Sequence, residues 1–345
     1  AVIGYLDQGG KGIIQGSLDS GAFDTFILSD GMIGQSLVDA FGKGLSKSFG
    51  SLPGSTGKGA GVFTTVAAAA GISVVAIKAT PGDLTVPQKA IEKSLARRVK
   101  KGKITPEQSE QILGLIEFSS DLEQVASAEL VIESAVEDET LKVDLLKRTE
   151  QCMAENAVLC TNTSSLLLDS LAAHLSRPQQ FLGLHFFSPV PAMALVELGS
   201  IESTTEQTEQ LAIDFCEQID KTAVQVKSSA GYVVNRLLVP YILHAIETLE
   251  SGISDAQGID NAMKLGCAHP MGPLALADLI GLDVVHAMAL TLKKELGGSR
   301  YDMPDTLAQL FNANQLGRKS GKGLYDYSAD EPVLNPDIQL EPACA

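Results

Sequence analysis

The chain has 345 residues, 45% of them apolar and 20% charged, with a formal net charge of −16. That mix is a soluble globular protein's, and the length allows two domains with a full buried core. The acid excess repels phosphate arrays, so it argues against a nucleic-acid binder or a protein of anionic membrane surfaces.

The first seventy residues hold two glycine-rich stretches, each followed by a strand-like segment. The first runs Ala1-Val-Ile-Gly4, then Gly9-Gly10-Lys-Gly12, then an expected strand at 26–28 that closes on Asp30. The second runs Gly54-Ser-Thr-Gly57-Lys-Gly59-Ala-Gly61, then a strand at 73–77 that closes on Lys78. Both resemble the opening of a dinucleotide-binding unit, which needs a tight turn, close backbone approach to a pyrophosphate and a helix N terminus aimed at it. Neither is a clean G-x-G-x-x-G: Leu6 and Thr56 stand where the middle glycine belongs. An ordinary glycine-rich turn explains each stretch taken alone.

Further strands are expected at 130–132, 158–161, 182–187 and 195–198, separated by amphipathic segments, the texture of βαβ units. Those near 130, 158 and 182 are apolar throughout, as strands covered on both faces should be. After Ser228-Ser229-Ala230-Gly231 the texture turns helical: Val234, Leu237, Leu238, Tyr241, Ala245 and Leu249 keep helical spacing, and helices are expected near 258–266, 274–296 and 304–314. The expected organisation is an α/β domain over 1–227 with an atypical stretch at 1–50, a helical domain over 228–328, and an extended, poorly packed tail over 329–345 carrying Pro332, Pro336 and Pro342.

No run of about 20 strongly apolar residues occurs, and none resembles a cleaved export signal. The expected compartment is the cytoplasm, with the mitochondrial matrix or the peroxisome as alternatives. Cys152, Cys160, Cys216, Cys267 and Cys344 are widely spaced without a Cys-x-x-Cys, and the histidines lack metal-ligand spacing. Neither a disulfide framework nor a metal site is expected.

Chemistry concentrates in a few places. His185 lies near the end of an apolar strand stopped by Pro189 and Pro191, the end that faces the ligand crevice in open α/β sheets. Glu197 sits in a second apolar strand, where an ionised carboxylate is costly without a cationic or hydrogen-bonding partner. A His185–Glu197 pair would satisfy both, the carboxylate fixing the imidazole tautomer. The alternative is a core histidine bonded to a backbone carbonyl and a glutamate at an exposed edge. Asn162-Thr-Ser-Ser165 forms a strand-to-helix turn in which a serine caps a helix or faces a ligand. Asn235 shares a helical face with Leu238, Val239 and Ile242, and its amide needs a partner. Arg97-Arg98-Val-Lys100-Lys101-Gly-Lys103 is a dense basic cluster, either a solvated helix face or a site for a phosphate-bearing ligand.

Taken together, these residues resemble the L-3-hydroxyacyl-CoA dehydrogenase family over roughly four fifths of the chain, from about Gly57 to Tyr327. The resemblance rests on Val-Ile-Glu-Ser-Ala-Val-Glu137, Asn162-Thr-Ser-Ser165, His185-Phe-Phe-Ser-Pro, Leu195-Val-Glu197-Leu, Gly231-Tyr-Val-Val-Asn235-Arg-Leu-Leu, His269-Pro-Met-Gly-Pro273 and Gly317-Arg-Lys-Ser-Gly-Lys-Gly-Leu-Tyr325. It implies a Rossmann-like domain followed by an all-helical substrate and dimerisation domain, a homodimer, an acyl-CoA substrate of unread chain length, and NAD-linked oxidation of the 3-hydroxyl to a ketone. It implies that His185 is the general base, Glu197 its orienting partner, and Ser164 and Asn235 the groups that hold the reacting oxygen. Gly54, Gly57, Gly59, Lys78, Glu137, Lys142, Asn162, Ser164 and Lys319 match its cofactor positions, and Ser94 and Lys101 positions that touch CoA.

Three departures stand out. Ser188 replaces a common asparagine, residues 48–53 make a poor first strand, and Lys78 replaces the usual acid that binds the adenosine ribose. Lysine has no acceptor for ribose hydroxyls and would favour a 2′-phosphate, so NADP is the alternative to NAD. Either the unit beginning near residue 50 binds the cofactor, the reading with more continuous matching, or Asp30 is the ribose ligand, or the stretch is degenerate. Rival functions are a hydroxy sugar-acid dehydrogenase on the same scaffold, like L-gulonate dehydrogenase, and a non-catalytic binding or structural relative.

Overall fold

The computed structural model describes residues 25–29, 59–78, 84–135, 137–188, 190–329 and 331–338. The chain divides into two compact units, Ala1–Ser229 and Ala230–Ala345.

The first unit is built on an eight-stranded sheet in the order β3-β2-β1-β4-β5-β6-β7-β8. Its strands are β1 Thr25–Ser29, β2 Val74–Ile77, β3 Ile116–Ser119, β4 Ala128–Glu133, β5 Val158–Thr161, β6 Phe181–Phe186, β7 Leu195–Ser200 and β8 Thr222–Lys227. Every strand expected from sequence is present. The apolar pattern does not mark β3 and β8, because β3 interleaves Glu117 between apolar residues and β8 is an edge strand with exposed and half-buried residues throughout. Its helices are α1 Gly59–Ala69, α2 Thr85–Lys100, α3 Pro106–Gly114, α4 Glu139–Cys152, α5 Leu168–Ala172 and α6 Glu206–Gln218. Local chemistry starts several of them. Thr105 and Gln108 form a capping box ahead of α3 with Pro106 in its first turn, while Asp138 accepts from Leu141 N at α4 and Thr205 from Thr208 N at α6. Phe63, Ala67, Ile91, Leu95, Ile132, Cys160, Leu184, Val196 and Phe215 share one core between sheet and helices.

The strand directions correct one expectation. β4, β5 and β6 are parallel, as are β2 with β3, but β1 runs antiparallel to both β2 and β4. Thr25 therefore stands beside Ile77 and Glu133, where β2 and β4 end, and Leu28 beside Val74 and Leu130, where they begin. The expected all-parallel order of these strands is therefore interrupted at β1. Asp30 itself, like Gly54, Gly57 and the first glycine stretch, lies outside the described residues. β6 and β7 are also antiparallel, with His185 opposite Glu197.

The second unit contains α7 Val234–Glu250, α8 Ala256–Gly266, α9 Pro273–Ile280, α10 Leu282–Leu296 and α11 Asp305–Asn312. The continuous helix expected over 274–296 is two helices bent by 96°. The break is Gly281 at φ +105°, a backbone conformation that residues with a Cβ rarely adopt. No single helix among the described residues is long and apolar enough to cross a membrane. Asp278 gathers Leu324 N, Tyr325 N and the Tyr327 hydroxyl at 2.8–3.0 Å, and Asp260 takes the Tyr325 hydroxyl at 2.8 Å. The glycine-rich segment after Gly317 is thus tied to α8 and α9. Among the described tail residues, most of them exposed, β10 (Val333–Leu334) pairs with β9 (Tyr325–Asp326), and buried Asn335 donates to Gly323 O at 2.7 Å. Prolines at 332 and 336 bracket that short edge strand, where a missing N–H costs nothing.

Candidate active site

Cross-strand register creates the central pair. In an antiparallel ladder the residues directly opposite each other bring their Cβ atoms within side-chain reach, and β6 against β7 does this for His185 and Glu197. His185 Nδ1 lies 2.8 Å from Glu197 Oε2, with the two residues 5% and 1% exposed. An ionised carboxylate is acceptor-only, so opposite one the ring carries its proton on Nδ1 and Nε2 is the accepting nitrogen. Nε2 lies 3.1 Å from Ser164 Oγ. The Phe187 ring covers the imidazole at a centroid distance of 4.5 Å.

Ser164 is held by its neighbours rather than by its own side chain. It belongs to the turn between β5 and α5, and one oxygen of Glu137, Oε1, gathers that turn. It accepts from Thr163 Oγ1 at 2.7 Å, Ser164 N and Ser165 N at 2.8 Å each, and Ser165 Oγ at 2.9 Å. Burial opposes ionisation of Glu137, but the Lys142 ammonium and the hydrogen bonds from Thr163, Ser165 and Ser164 outweigh it, holding the carboxyl below the usual glutamate range. Asn162 closes the other side: its amide donates to Ser134 Oγ at 2.7 Å and accepts from Phe186 N at 3.1 Å, linking the ends of β4, β5 and β6.

Beneath the turn lies an ion pair that sequence reasoning missed. Lys142, on α4, and Glu133, the last residue of β4, are both 0% exposed. Lys142 Nζ contacts Glu133 Oε1 and Oε2 at 2.9 and 3.0 Å, and Glu137 Oε2 at 3.9 Å. Glu133 also accepts from Thr161 Oγ1 and Ala135 N. The signal was present in the sequence. Glu133 is an acid at the end of an apolar strand, the same anomaly that singled out Glu197.

The other expected residues stand as follows. Gly59 opens α1, whose C terminus leads within a few residues into β2, so its first amides open at the edge where β2 ends. Lys78, at that edge, is buried, with its backbone N–H on Ser119 O at 2.9 Å. Ser94 is half-buried in α2 and Lys101, just beyond α2, is exposed. The basic cluster is not uniform: Arg98 turns into the core, where burial brings its pKa down to about 10, while Arg97, Lys100, Lys101 and Lys103 face outward. Asn235 and Lys319 belong to the helical unit. Asn235 is buried in the first turn of α7, and Lys319 forms an ion pair with Asp283.

The chain matches two family descriptions in tandem: "3-hydroxyacyl-CoA dehydrogenase, NAD binding domain" over residues 54–229 and "3-hydroxyacyl-CoA dehydrogenase, C-terminal domain" over residues 231–327. It is 40% identical over 275 residues to a 3-hydroxybutyryl-CoA dehydrogenase of Clostridioides difficile, covering 80% of this chain and 98% of that one. It is 38% identical over 283 residues to the mitochondrial hydroxyacyl-coenzyme A dehydrogenase of Rattus norvegicus, covering 78% and 88%. The solved (S)-3-hydroxybutyryl-CoA dehydrogenase of Ralstonia eutropha superposes with a TM-score of 0.74 at 38% identity, covering 78% of this chain and 95% of that one.

Proposed function

Because the chain belongs to the 3-hydroxyacyl-CoA dehydrogenase family, we propose that His185 is the base of an NAD-dependent oxidation in which Glu197 orients and charges the ring. The reaction converts a 3-hydroxyacyl-CoA to a 3-ketoacyl-CoA. The observation that carries this reading is the two-sided hold on the imidazole, with Glu197 Oε2 at 2.8 Å from Nδ1 and Ser164 Oγ at 3.1 Å from Nε2.

A hydride can leave C3 only as the hydroxyl on C3 gives up its proton, so a base within hydrogen-bond reach is required. His185 Nε2 takes that proton, and the buried Glu197 carboxylate stabilises the imidazolium formed. Ser164, whose backbone N–H the Glu137 clamp holds, positions the reacting oxygen through its Oγ, and Asn235 is its second holder. The chemistry that NAD supplies when bound is acceptance of the hydride. The donor set fits a dinucleotide. The amides opening α1 suit a pyrophosphate, and Glu137, Lys142, Asn162, Ser164 and Lys319 are the cofactor set together with the glycines at 54, 57 and 59. Ser94 and Lys101 hold the CoA portion, whose binding energy anchors the substrate away from the reacting carbon. Lys78 decides between NAD and NADP, since an ammonium cannot accept from ribose hydroxyls. The compartment is the cytoplasm. The assembly is a homodimer through the helical unit, where Leu237, Val284 and Leu290 are exposed.

The test follows NADH consumption with acetoacetyl-CoA, repeated with NADPH and with a keto sugar acid. Turnover of acetoacetyl-CoA with NADH is expected. Turnover of the sugar acid alone would overturn the substrate class, and absence of cofactor binding would overturn the enzyme reading altogether.

A further inference from the structure

Glu133 takes no part in the chemistry above, yet it is a fully buried carboxylate at the crevice edge of the sheet. A buried acid of this kind is costly unless its position is used and its charge met. Its charge is met by Lys142, and Lys142 in turn faces Glu137 Oε2 at 3.9 Å. The other oxygen of Glu137 holds three consecutive residues, Thr163, Ser164 and Ser165, and Ser164 Oγ meets the catalytic ring. The chain of contacts is continuous and lies wholly within the first unit.

From this continuity we infer that Glu133 is a positioning residue, which holds Ser164 against His185 by fixing Lys142 and, through it, Glu137. The ammonium is shared unequally. Two contacts near 3 Å fasten it to Glu133, and one at 3.9 Å reaches Glu137. Glu133 therefore sets where the positive charge sits, and the charge sets where Glu137 stands. Removing the charge of Glu133 releases Lys142 toward Glu137, drawing that carboxylate away from the turn it gathers. The backbone adds a second tie at the same point, since Asn162 N donates to Glu133 O at 2.7 Å. This inference rests on the dehydrogenase reading for its kinetic consequence but not for its structural one.

Glu133→Gln keeps the shape and the hydrogen-bonding oxygen while removing the charge. The expected result is a fall in kcat of about 100-fold, the scale of a misplaced catalytic group, with KM for acetoacetyl-CoA changed less than about threefold at saturating NADH. A merely structural residue would lower the melting temperature and leave kcat per folded molecule intact. The decisive readout is the nitrogen NMR resonance of His185 Nε2, assigned by its loss in His185→Gln. Ser164→Ala, which deletes the hydroxyl against Nε2, moves that resonance, and Glu133→Gln is expected to move it in the same direction. The double variant Glu133→Gln/Lys142→Met removes both members of the fully buried ion pair, leaves Glu137 with its four hydrogen bonds, and should fold where the single one does not. It too is expected to shift the resonance. A wild-type resonance in the folded variants overturns the inference whatever the activity. Absence of hydroxyacyl-CoA turnover in the wild type would instead overturn the functional reading and leave the resonance test standing.

Discussion

The sharpest consequence of the site concerns Glu197→Gln. The substitution keeps size and one acceptor oxygen, so the β6–β7 pairing and the surrounding core are expected to stay intact. Two things change. The amide can donate to Nδ1, which moves the ring proton to Nε2 and removes the lone pair that accepts the substrate's proton in the proposed mechanism. The carboxylate that would stabilise the imidazolium there is also gone. Glu197 Oε2 is 2.8 Å from Nδ1 with both side chains buried. With the delocalised charges taken as about 4 Å apart, their attraction is about 1 kcal/mol in water and about 4 kcal/mol at an effective dielectric near 20. The buried value applies, so kcat is expected to fall about 1,000-fold. The assay is NADH consumption with acetoacetyl-CoA at saturating cofactor, with far-ultraviolet circular dichroism to verify folding. A folded Glu197→Gln protein within tenfold of wild type would refute the reasoning, because it would mean that the carboxylate neither selects the tautomer nor stabilises the cation.

Other outcomes follow from the same geometry. His185→Gln should fold normally and lose turnover by orders of magnitude, and unchanged turnover would take the base role from His185. Glu137→Gln removes the charge at the oxygen that accepts four hydrogen bonds; kcat should drop up to about 100-fold through misplacement of Ser164, checked against cofactor affinity by fluorescence titration. Because its ionised form is favoured in the fold, the contribution of Glu137 is present at neutral pH and is lost only as the pH falls through its lowered value. Asp278 has the opposite sign. Burial, only partly offset by hydrogen bonds from Tyr325, Leu324 and Tyr327, pushes its pKa up to about 6 from 3.8. The native state therefore holds an extra proton between those values, so wild-type stability relative to Asp278→Asn should decline by about 2 kcal/mol as pH rises from 4 to 6, out of a total of about 3 kcal/mol across the whole titration. Parallel urea-denaturation curves for the two proteins across that range would disprove this. At Gly317, with φ +93°, a Cβ would lie 2.3 Å from the Asp278 carbonyl oxygen; Gly317→Ala should cost about 1–3 kcal/mol and lower the melting temperature by several degrees.

Much of the site was legible because its residues violate the rule of their surroundings. Glu197 is an acid in an apolar strand, His185 ends an apolar strand at two prolines, and Ser164 and Asn162 occupy a strand-to-helix turn. Each breaks the local pattern at a cost that only a partner can offset, and such a residue can be found without coordinates. Glu133 breaks it in the same way, but its partner lies nine residues on in a helix with ordinary surface-like composition. Nothing in that composition marks Lys142 as a fully buried ammonium. Arg98 teaches the converse: within a run of exposed bases, its inward turn follows from its place on the face of α2 rather than from the cluster. The bend at Gly281 was similarly hidden, since apolar spacing continues smoothly from α9 into α10 and only the positive φ interrupts the helix.

By itself the amino-acid order determined the βαβ texture, the change to helices near Gly231 and the family, because apolar period, turn residues and local charge are properties of neighbours along the chain. The pairing of His185 with Glu197 could be suspected from that order, but only the antiparallel register of β6 and β7 makes them opposite. The reversed direction of β1, the bend between α9 and α10, and the route from Glu133 through Lys142 to the Ser164 turn were decided in three dimensions. The physical reason is the same in each case. Strand direction, register and buried charge pairing depend on which distant segments meet, and the energy that selects them is realised only when water has been excluded between those segments.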